Sequence, residues 1–213
     1  MIISVSTMPA GKEYLQYTKM VEEFADFMHL DVCDGEYNST KCFLPEYAMD
    51  INNNSTVPLD CHLMTKNPIE HARKYIKAGV NIVTAQIEAF ETEKQIAEFI
   101  NYVKSKNVLV GLSLEPKTEV KRVLPYLSKL DVVLCMSVKT GASGQKFDQT
   151  VLSKIEYLSN LKVSFGYNYK IEVDGGITEK TAPLVKQKGA EIVVSGSYIY
   201  NSKNYNKAIN FLK

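Results

Sequence analysis

Residues 57–87 read VPLDCHLMTKNPIEHARKYIKAGVNIVTAQI, and this stretch decides the fold. Val57 to Met64 is a short apolar run of strand length. Asn67-Pro68 opens a helix, because proline at the first helical position gives up an amide that would have no partner there anyway. IEHARKYIKAG continues with helical spacing, and Gly79 supplies the stop. Ile82 to Ile87 is again a strand. Strand, helix and strand in so short a span make a parallel crossover unit.

Working outward, the same punctuation recurs. Further apolar, β-branched runs lie at Ile2 to Ser6, Met28 to Val32, Val108 to Leu114, Val132 to Val138, Tyr169 to Asp174 and Glu191 to Gly196. With the two already read, this makes eight predicted strands. Helical patterns separate most of them, as where Thr178 precedes EKTAPLVKQKG and Gly189 ends it. Eight such units in 213 residues predict an α/β fold, a single (β/α)8 TIM barrel spanning residues 1–213. An open doubly wound sheet commonly uses fewer strands and a GxGxxG turn after the first, which is absent. Asn52 to Ser55 reads as a polar loop and the stretch from Val163 to Tyr169 as a connector.

Composition bounds the partners. Hydrophobic residues make up 45% and charged residues 23% of the chain, enough to bury one full core. Twenty-five basic against 24 acidic residues leave a formal charge of +1, so no strong field draws nucleic acid or an anionic membrane. A small-molecule partner is expected. The first residues, MIISVSTMPAGKEY, lack a basic segment followed by an apolar signal stretch, and no run reaches membrane-spanning length, so a cytoplasmic location is expected. Cys33, Cys42, Cys61 and Cys135 form no CxxC pair, and reduced, packed thiols are the expectation.

In a parallel barrel the carboxyl ends of the strands converge on one face, which gives polar residues there a functional meaning. The second strand reads HLDVCDG, so His29, Asp31 and Cys33 share one side of it. The third reads LDCHLM and puts Asp60, His62 and Met64 on one side. The seventh ends IEVDGG, with Asp174 at the mouth. Two imidazoles and two carboxylates near strand exits can close around one metal ion. A lone strand histidine is more often a hydrogen-bonded core residue. Of three histidines, however, two pair with aspartate, His29 with Asp31 and His62 with Asp60, and a buried imidazole beside a carboxylate is costly unless something uses it. His71, after Pro68, is read as a surface helical residue. Asp34 before Gly35 reads as a turn former, and Glu172, one layer below Asp174, as half of a structural ion pair.

Glycine-rich segments form a second group at later strand ends. VKTGASGQKF contains Gly141, Ala142, Ser143 and Gly144; VDGG contains Gly175 and Gly176; VSGS contains Gly196 and Ser197. Glycines often do no more than turn corners, but two such segments at the seventh and eighth exits are where barrels build phosphate sites from backbone N–H groups. TGASGQ is long enough to act as a lid.

Taken in order, HLDVCDGEY, LDCHLM, SVKTGASGQKF, IEVDGG and VSGSYIY resemble the ribulose-phosphate 3-epimerase family across essentially the whole chain. The resemblance implies a ribulose-phosphate-binding barrel and an isomerase that inverts C3 of a ketose phosphate, D-ribulose 5-phosphate to D-xylulose 5-phosphate. It implies that His29, Asp31, His62 and Asp174 ligate one divalent ion (zinc, iron, manganese or cobalt), with Asp31 and Asp174 also the acid/base pair. Ser6, His62, Gly141 to Gly144, Gly175, Gly176, Gly196 and Ser197 then contact the sugar phosphate, and Met8, Cys33, Met64 and Met136 line the pocket. A homo-oligomer is implied in the same way. Departures from the family pattern are Thr140 and Ala142 in the lid, Val5 on the first strand, Thr40, Cys33 in place of methionine, and Gln86 where histidine is common. They touch the pocket, and a pocket change of this size is worth about 1–3 kcal/mol in discrimination between sugars. Allulose 6-phosphate is therefore an alternative substrate, and PLDCHLM resembles that branch too. A silent phosphosugar-binding barrel is the other alternative. A lyase or decarboxylase relative needs lysine within D-x-K-x-x-D, where this chain has D-V-C-D.

Overall fold

Each β-strand pairs in parallel with the next around a ring, and the ring closes. The computed structural model describes residues 1–141 and 144–213. Its strands are β1 (Ile2–Ser6), β2 (Phe27–Asp34), β3 (Lys41–Cys42), β4 (Leu59–Met64), β5 (Ile82–Gln86), β6 (Leu109–Leu114), β7 (Val132–Met136), β8 (Lys170–Asp174) and β9 (Ile192–Ser195). The order β1-β9-β8-β7-β6-β5-β4-β2, closed by a β1–β2 pairing, is an eight-stranded parallel barrel. The two-residue β3 folds back antiparallel on β2, setting Cys42 opposite Cys33. The eight predicted strands all appear; β3 is the addition.

The helices are α1 (Tyr14–Val21), α2 (Pro45–Asn54), α3 (Pro68–Lys77), α4 (Glu93–Lys104), α5 (Val151–Phe165), α6 (Ala182–Gln187), α7 (Ser197–Tyr200) and α8 (Tyr205–Leu212). Proline sits in the first turn of α2, α3 and α6, and Thr92 with Gln95 builds a reciprocal capping box on α4. Between β6 and β7 only 3-10 turns at Val120–Arg122 and Leu124–Lys129 cross over. Pro125 in that span cannot donate within a longer α-helix.

Three expectations about connections are corrected. Asn52, Asn53 and Asn54 are the last turn of α2, not a loop: Ala48 and Ile51 bury the helix's inner face, and the Ser55 N–H donates to the Ile51 carbonyl at 2.8 Å. Burial outweighs the weak helix preference of asparagine. α5 continues through Phe165 and ends at Gly166, whose φ of 66° is left-handed, so the connector is shorter than its sequence suggests. α6 begins at Ala182 and not directly after Thr178, because Thr181 Oγ1 accepts from the Thr178 N–H at 2.9 Å and donates to the Gly176 carbonyl at 2.9 Å, holding the segment in a turn.

Strand alternation divides the barrel into two cores. Ile3, Val5, Met28, Leu30, Leu59 and Leu63 join the main apolar cluster under the helices. Their neighbours Ser4, Ser6, His29, Asp31, Asp60, His62, Thr84, Gln86, Ser113 and Glu172 are buried as well, though polar. Burying unpaired polar groups costs free energy, so a polar barrel interior is a place that the fold maintains at the expense of stability.

Candidate functional site

Four side chains from three strands meet at the carboxyl end of the barrel. His29 and Asp31 come from β2, His62 from β4 and Asp174 from the end of β8. Each offers one ligand atom within 4.8 Å of the others, so the set can hold one ion. His29 Nε2 lies 3.4 Å and His62 Nδ1 3.7 Å from Asp31 Oδ1. Both nitrogens are fully buried and have no hydrogen-bond partner. Two orphaned imidazole nitrogens converging on carboxylates are what a divalent cation would satisfy.

The electrostatics of the cluster are unequal. Burial opposes a charge on His29, but Asp60 and Asp31 on either side hold its pKa well above the ordinary value. Burial also opposes the Asp31 charge, yet the neighbouring His29 and His62 hold this carboxyl far below the usual range. Asp174 goes the other way: burial, then the negative charge of Asp31, push it up to about 6. Two adjacent carboxyl groups with opposite proton affinities suit acid/base work.

A second layer lies beneath. His29 Nδ1 is 2.7 Å from Asp60 Oδ2, and the same oxygen accepts from Ser4 Oγ at 2.8 Å. This corrects the expected pairing of Asp60 with His62; the strand register sets His29 level with Asp60 and Asp31 level with His62. His62 instead meets Gln86, its Nε2 lying 3.2 Å from the amide nitrogen. Glu172 is one layer below Asp174, as expected, but it faces Asp60 rather than a cation. Burial, then the Asp60 charge, hold its pKa well above the carboxylate range. His29, Asp60 and Glu172 also satisfy the spacing for an ion. His29 Nδ1, however, is already bonded to Asp60, and burial with the Asp60 charge disfavours the ionised form in which Glu172 would bind an ion.

Above the cluster opens a cavity of about 800 Å³. Ser6, Met8, Asp31, Met64, Met136 and Asp174 form its floor and sides, and Gly141, Gly144, Gly175, Gly176, Gly196 and Ser197 its rim. Ala142 and Ser143, expected in the lid, lie outside the described residues. Cys33, expected in the wall, does not line the cavity; it is buried level with Met64 on the neighbouring strand, its Sγ 4.0 Å from the Met64 Sδ. His29 and His62 are beneath the floor and wholly buried. Ser6 Oγ donates to Asp31 Oδ2 at 2.9 Å and accepts from the Met8 N–H, so it orients the carboxylate from the far side. Gly175 and Gly176 have φ of 112° and 60°, and a Cβ on Gly176 would lie 2.7 Å from the Phe147 amide nitrogen. Thr140 Oγ1 donates to Glu115, tying Thr140 to the end of β6. Asp34 is the turn former expected, its Oδ1 accepting from the Glu36 and Tyr37 amides. His71 is half-buried on α3.

Sequence reading passed over Ser4 and understated Asp60 and Gln86. The signal was present for Ser4, which shares strand side with Ser6 in IISVS. Which buried partner each would meet depends on neighbouring strands.

The model of the ribulose-phosphate 3 epimerase family matches residues 2–200 of the chain. Ribulose-phosphate 3-epimerase from Bacillus subtilis is 34% identical over 190 residues, 89% of this chain and 86% of that protein. The Helicobacter pylori protein of the same name is 32% identical over 203 residues, covering 94% and 92%. Among solved structures, 3-keto-L-gulonate-6-phosphate decarboxylase from Vibrio cholerae superposes with a TM-score of 0.73 at 12% identity, covering 100% of this chain and 94% of that one. That likeness concerns the barrel alone. The sequence match over nearly the whole chain is of another kind, and by it this protein belongs to the ribulose-phosphate 3-epimerase family.

Proposed function

We propose that this protein is a metal-dependent epimerase that inverts C3 of a ketose phosphate, converting D-ribulose 5-phosphate to D-xylulose 5-phosphate. Beside family membership, the observation that carries this reading is the pair of orphaned nitrogens, His29 Nε2 and His62 Nδ1, facing Asp31 and Asp174 at the cavity floor. Zinc, iron, manganese or cobalt held by His29, His62, Asp31 and Asp174 would, when bound, stabilise negative charge on adjacent sugar oxygens.

The rest of the chemistry belongs to the chain. The Asp31 carboxylate takes the C3 proton, and the electron pair of the C–H bond passes toward the C2 carbonyl, leaving a planar enediolate. Asp174, the carboxyl of higher proton affinity, returns a proton to C3 on the opposite face. Asp31 is then protonated and Asp174 ionised, which is the state needed to run the reaction backward. Ser6 holds Asp31 in place, while Met8, Met64 and Met136 keep water from the enediolate. Backbone N–H groups around Gly175, Gly176, Gly196 and Ser197, with Gly141 and Gly144 of the lid, grip the phosphate, so that remote binding energy orients the reacting carbon. Work in the cytoplasm and assembly as a homo-oligomer go with this reading on family membership.

The test is exchange of the C3 proton with deuterated solvent. Ribulose 5-phosphate incubated with metal-loaded protein should gain deuterium at C3 and yield xylulose 5-phosphate. Faster turnover of allulose 6-phosphate would reassign the substrate. Binding without exchange on either sugar would make the chain a phosphosugar-binding barrel.

A further inference from the structure

Resting on the metal-site reading, we propose that Asp60 and Gln86 are positioning residues that set the two histidines in opposite tautomers, and that the Gln86 amide turns over when metal enters. The two imidazoles present different nitrogens to the cluster: His29 points Nε2 at Asp31, His62 points Nδ1. Each therefore needs its other nitrogen to carry the proton when it gives a lone pair to an ion.

For His29 that need is met permanently. The partner of Nδ1 is Asp60 Oδ2 at 2.7 Å, and an ionised carboxylate only accepts. Ser4 Oγ, also bonded to that oxygen, keeps Asp60 from rotating away. Nδ1 of His29 is a donor with or without metal, and Nε2 is the nitrogen left for the ion.

For His62 the partner is an amide, which can serve either tautomer. In the structure the Gln86 amide nitrogen lies 3.2 Å from His62 Nε2, and Gln86 Oε1 is buried without a partner. An NH2 group facing Nε2 makes Nε2 the acceptor and leaves the proton on Nδ1, toward Asp31 Oδ1 at 3.7 Å. That tautomer turns the Nδ1 proton toward the Asp31 carboxylate but leaves Gln86 Oε1 without a partner. Loading requires the reverse, with the proton on Nε2 and Oε1 of Gln86 facing it. A half-turn of the amide exchanges the two atoms without moving the rest of the fully buried side chain. A histidine in place of Gln86 would have to reorient its whole ring or change tautomer itself. Glutamate would accept only and hold His62 ready for metal.

The experiment is imidazole 15N NMR of the full chain in alkaline solution, before and after zinc. The expected result is Nδ1 of His29 protonated in both states, and the His62 proton moving from Nδ1 to Nε2 on loading. In parallel, zinc affinity of the apo protein is measured by chelator competition. Asp60→Asn, whose side chain can present its NH2 group to Nδ1, should lose about 10- to 100-fold. Gln86→Leu should lose about tenfold, and Gln86→Glu should keep or exceed the parent affinity. His62 protonated on Nε2 already in the apo protein, or zinc affinity equal in Gln86→Leu and the parent, overturns the proposal. Should Asp60→Asn fail to fold, the tautomers of the unsubstituted chain decide the matter. A chain that takes up no zinc at all overturns the metal reading instead, and the apo tautomers still test the assignments to Asp60 and Gln86.

Discussion

The floor and the rim of the cavity are built on different principles. The cluster at and just beneath the floor, His29, Asp31, His62 and Asp174, projects from three strands of a closed barrel, is underlain by Ser4, Asp60, Gln86 and Glu172, and is held firmly because each of the eight barrel strands is paired on both sides. The rim, Gly141, Gly144, Gly175, Gly176, Gly196 and Ser197, is backbone that follows the strands. These glycines offer N–H groups, and Lys139, Lys146, Lys180 and Lys207 line the same cavity. The floor can therefore set where protons reside, whereas the rim can set only how a substrate lies. Damage to the first should appear in kcat and damage to the second in KM.

That contrast can be broken in four ways. The largest effect is expected at the floor: Asp31→Asn and Asp174→Asn should each lower kcat by on the order of 10³-fold with the circular dichroism of the fold kept, since each removes one of the two proton carriers. An Asp174→Asn protein turning over near the normal rate would refute the acid/base assignment. Next comes proton-coupled metal uptake. Asp174, at about 6 in the metal-free protein, takes an incoming cation in competition with its proton. Affinity for zinc should thus climb as pH rises toward 6, by up to about tenfold per pH unit for that one proton. His29, raised above the ordinary imidazole value, should prolong the climb beyond pH 6. Calorimetric titration across pH reads both, and a flat profile would contradict the charges assigned to the floor. The same shift bears on stability. A carboxyl raised in the folded state favours folding below its folded pKa, so the contribution of Asp174 to apo stability is present in mild acid and lost as pH rises through about 6.

The third test is at the rim. A Cβ at Gly176 would press on the Phe147 backbone at 2.7–2.8 Å in a left-handed conformation. Gly176→Ala should raise KM about tenfold, the equivalent of about 1.4 kcal/mol, with kcat changed far less. A change confined to kcat would show that the rim takes part in the chemistry. The smallest effect is expected in the lid, where Thr140→Ala removes the hydroxyl bonded to Glu115. KM should rise by about two- to fivefold, in keeping with the loss of one exposed-to-half-buried hydrogen bond. No change at all would mean that this bond does not set the position of Thr140.

Much of the floor was legible before any coordinates. Side chains alternate along a strand, so HLDVCDG and LDCHLM each disclose which residues share a face, and IEVDGG puts Asp174 at an exit. The rim was legible only as composition, because glycines in sequence do not say which of them must take positive φ. Cys33 illustrates the limit: parity puts it on the face of Asp31, but it is buried beside Met64 on the adjacent strand and does not line the cavity. The turn of α2 through Asn52 to Asn54 was hidden for a similar reason, since the burial of Ala48 and Ile51 that sustains it comes from the barrel.

By itself, then, the amino-acid sequence determined the parallel barrel, through eight apolar runs punctuated by helix starts and stops, and the four side chains at its mouth, through the two-residue period of the strand. Only the tertiary structure decided who pairs with whom. His29 meets Asp60 because the stagger between β2 and β4 brings them level, and His62 reaches Gln86 diagonally, since the residue level with it on β5 is Thr84. Stagger belongs to the closure of the whole ring, where strand tilt and shear must agree around all eight strands, and no single strand carries that information.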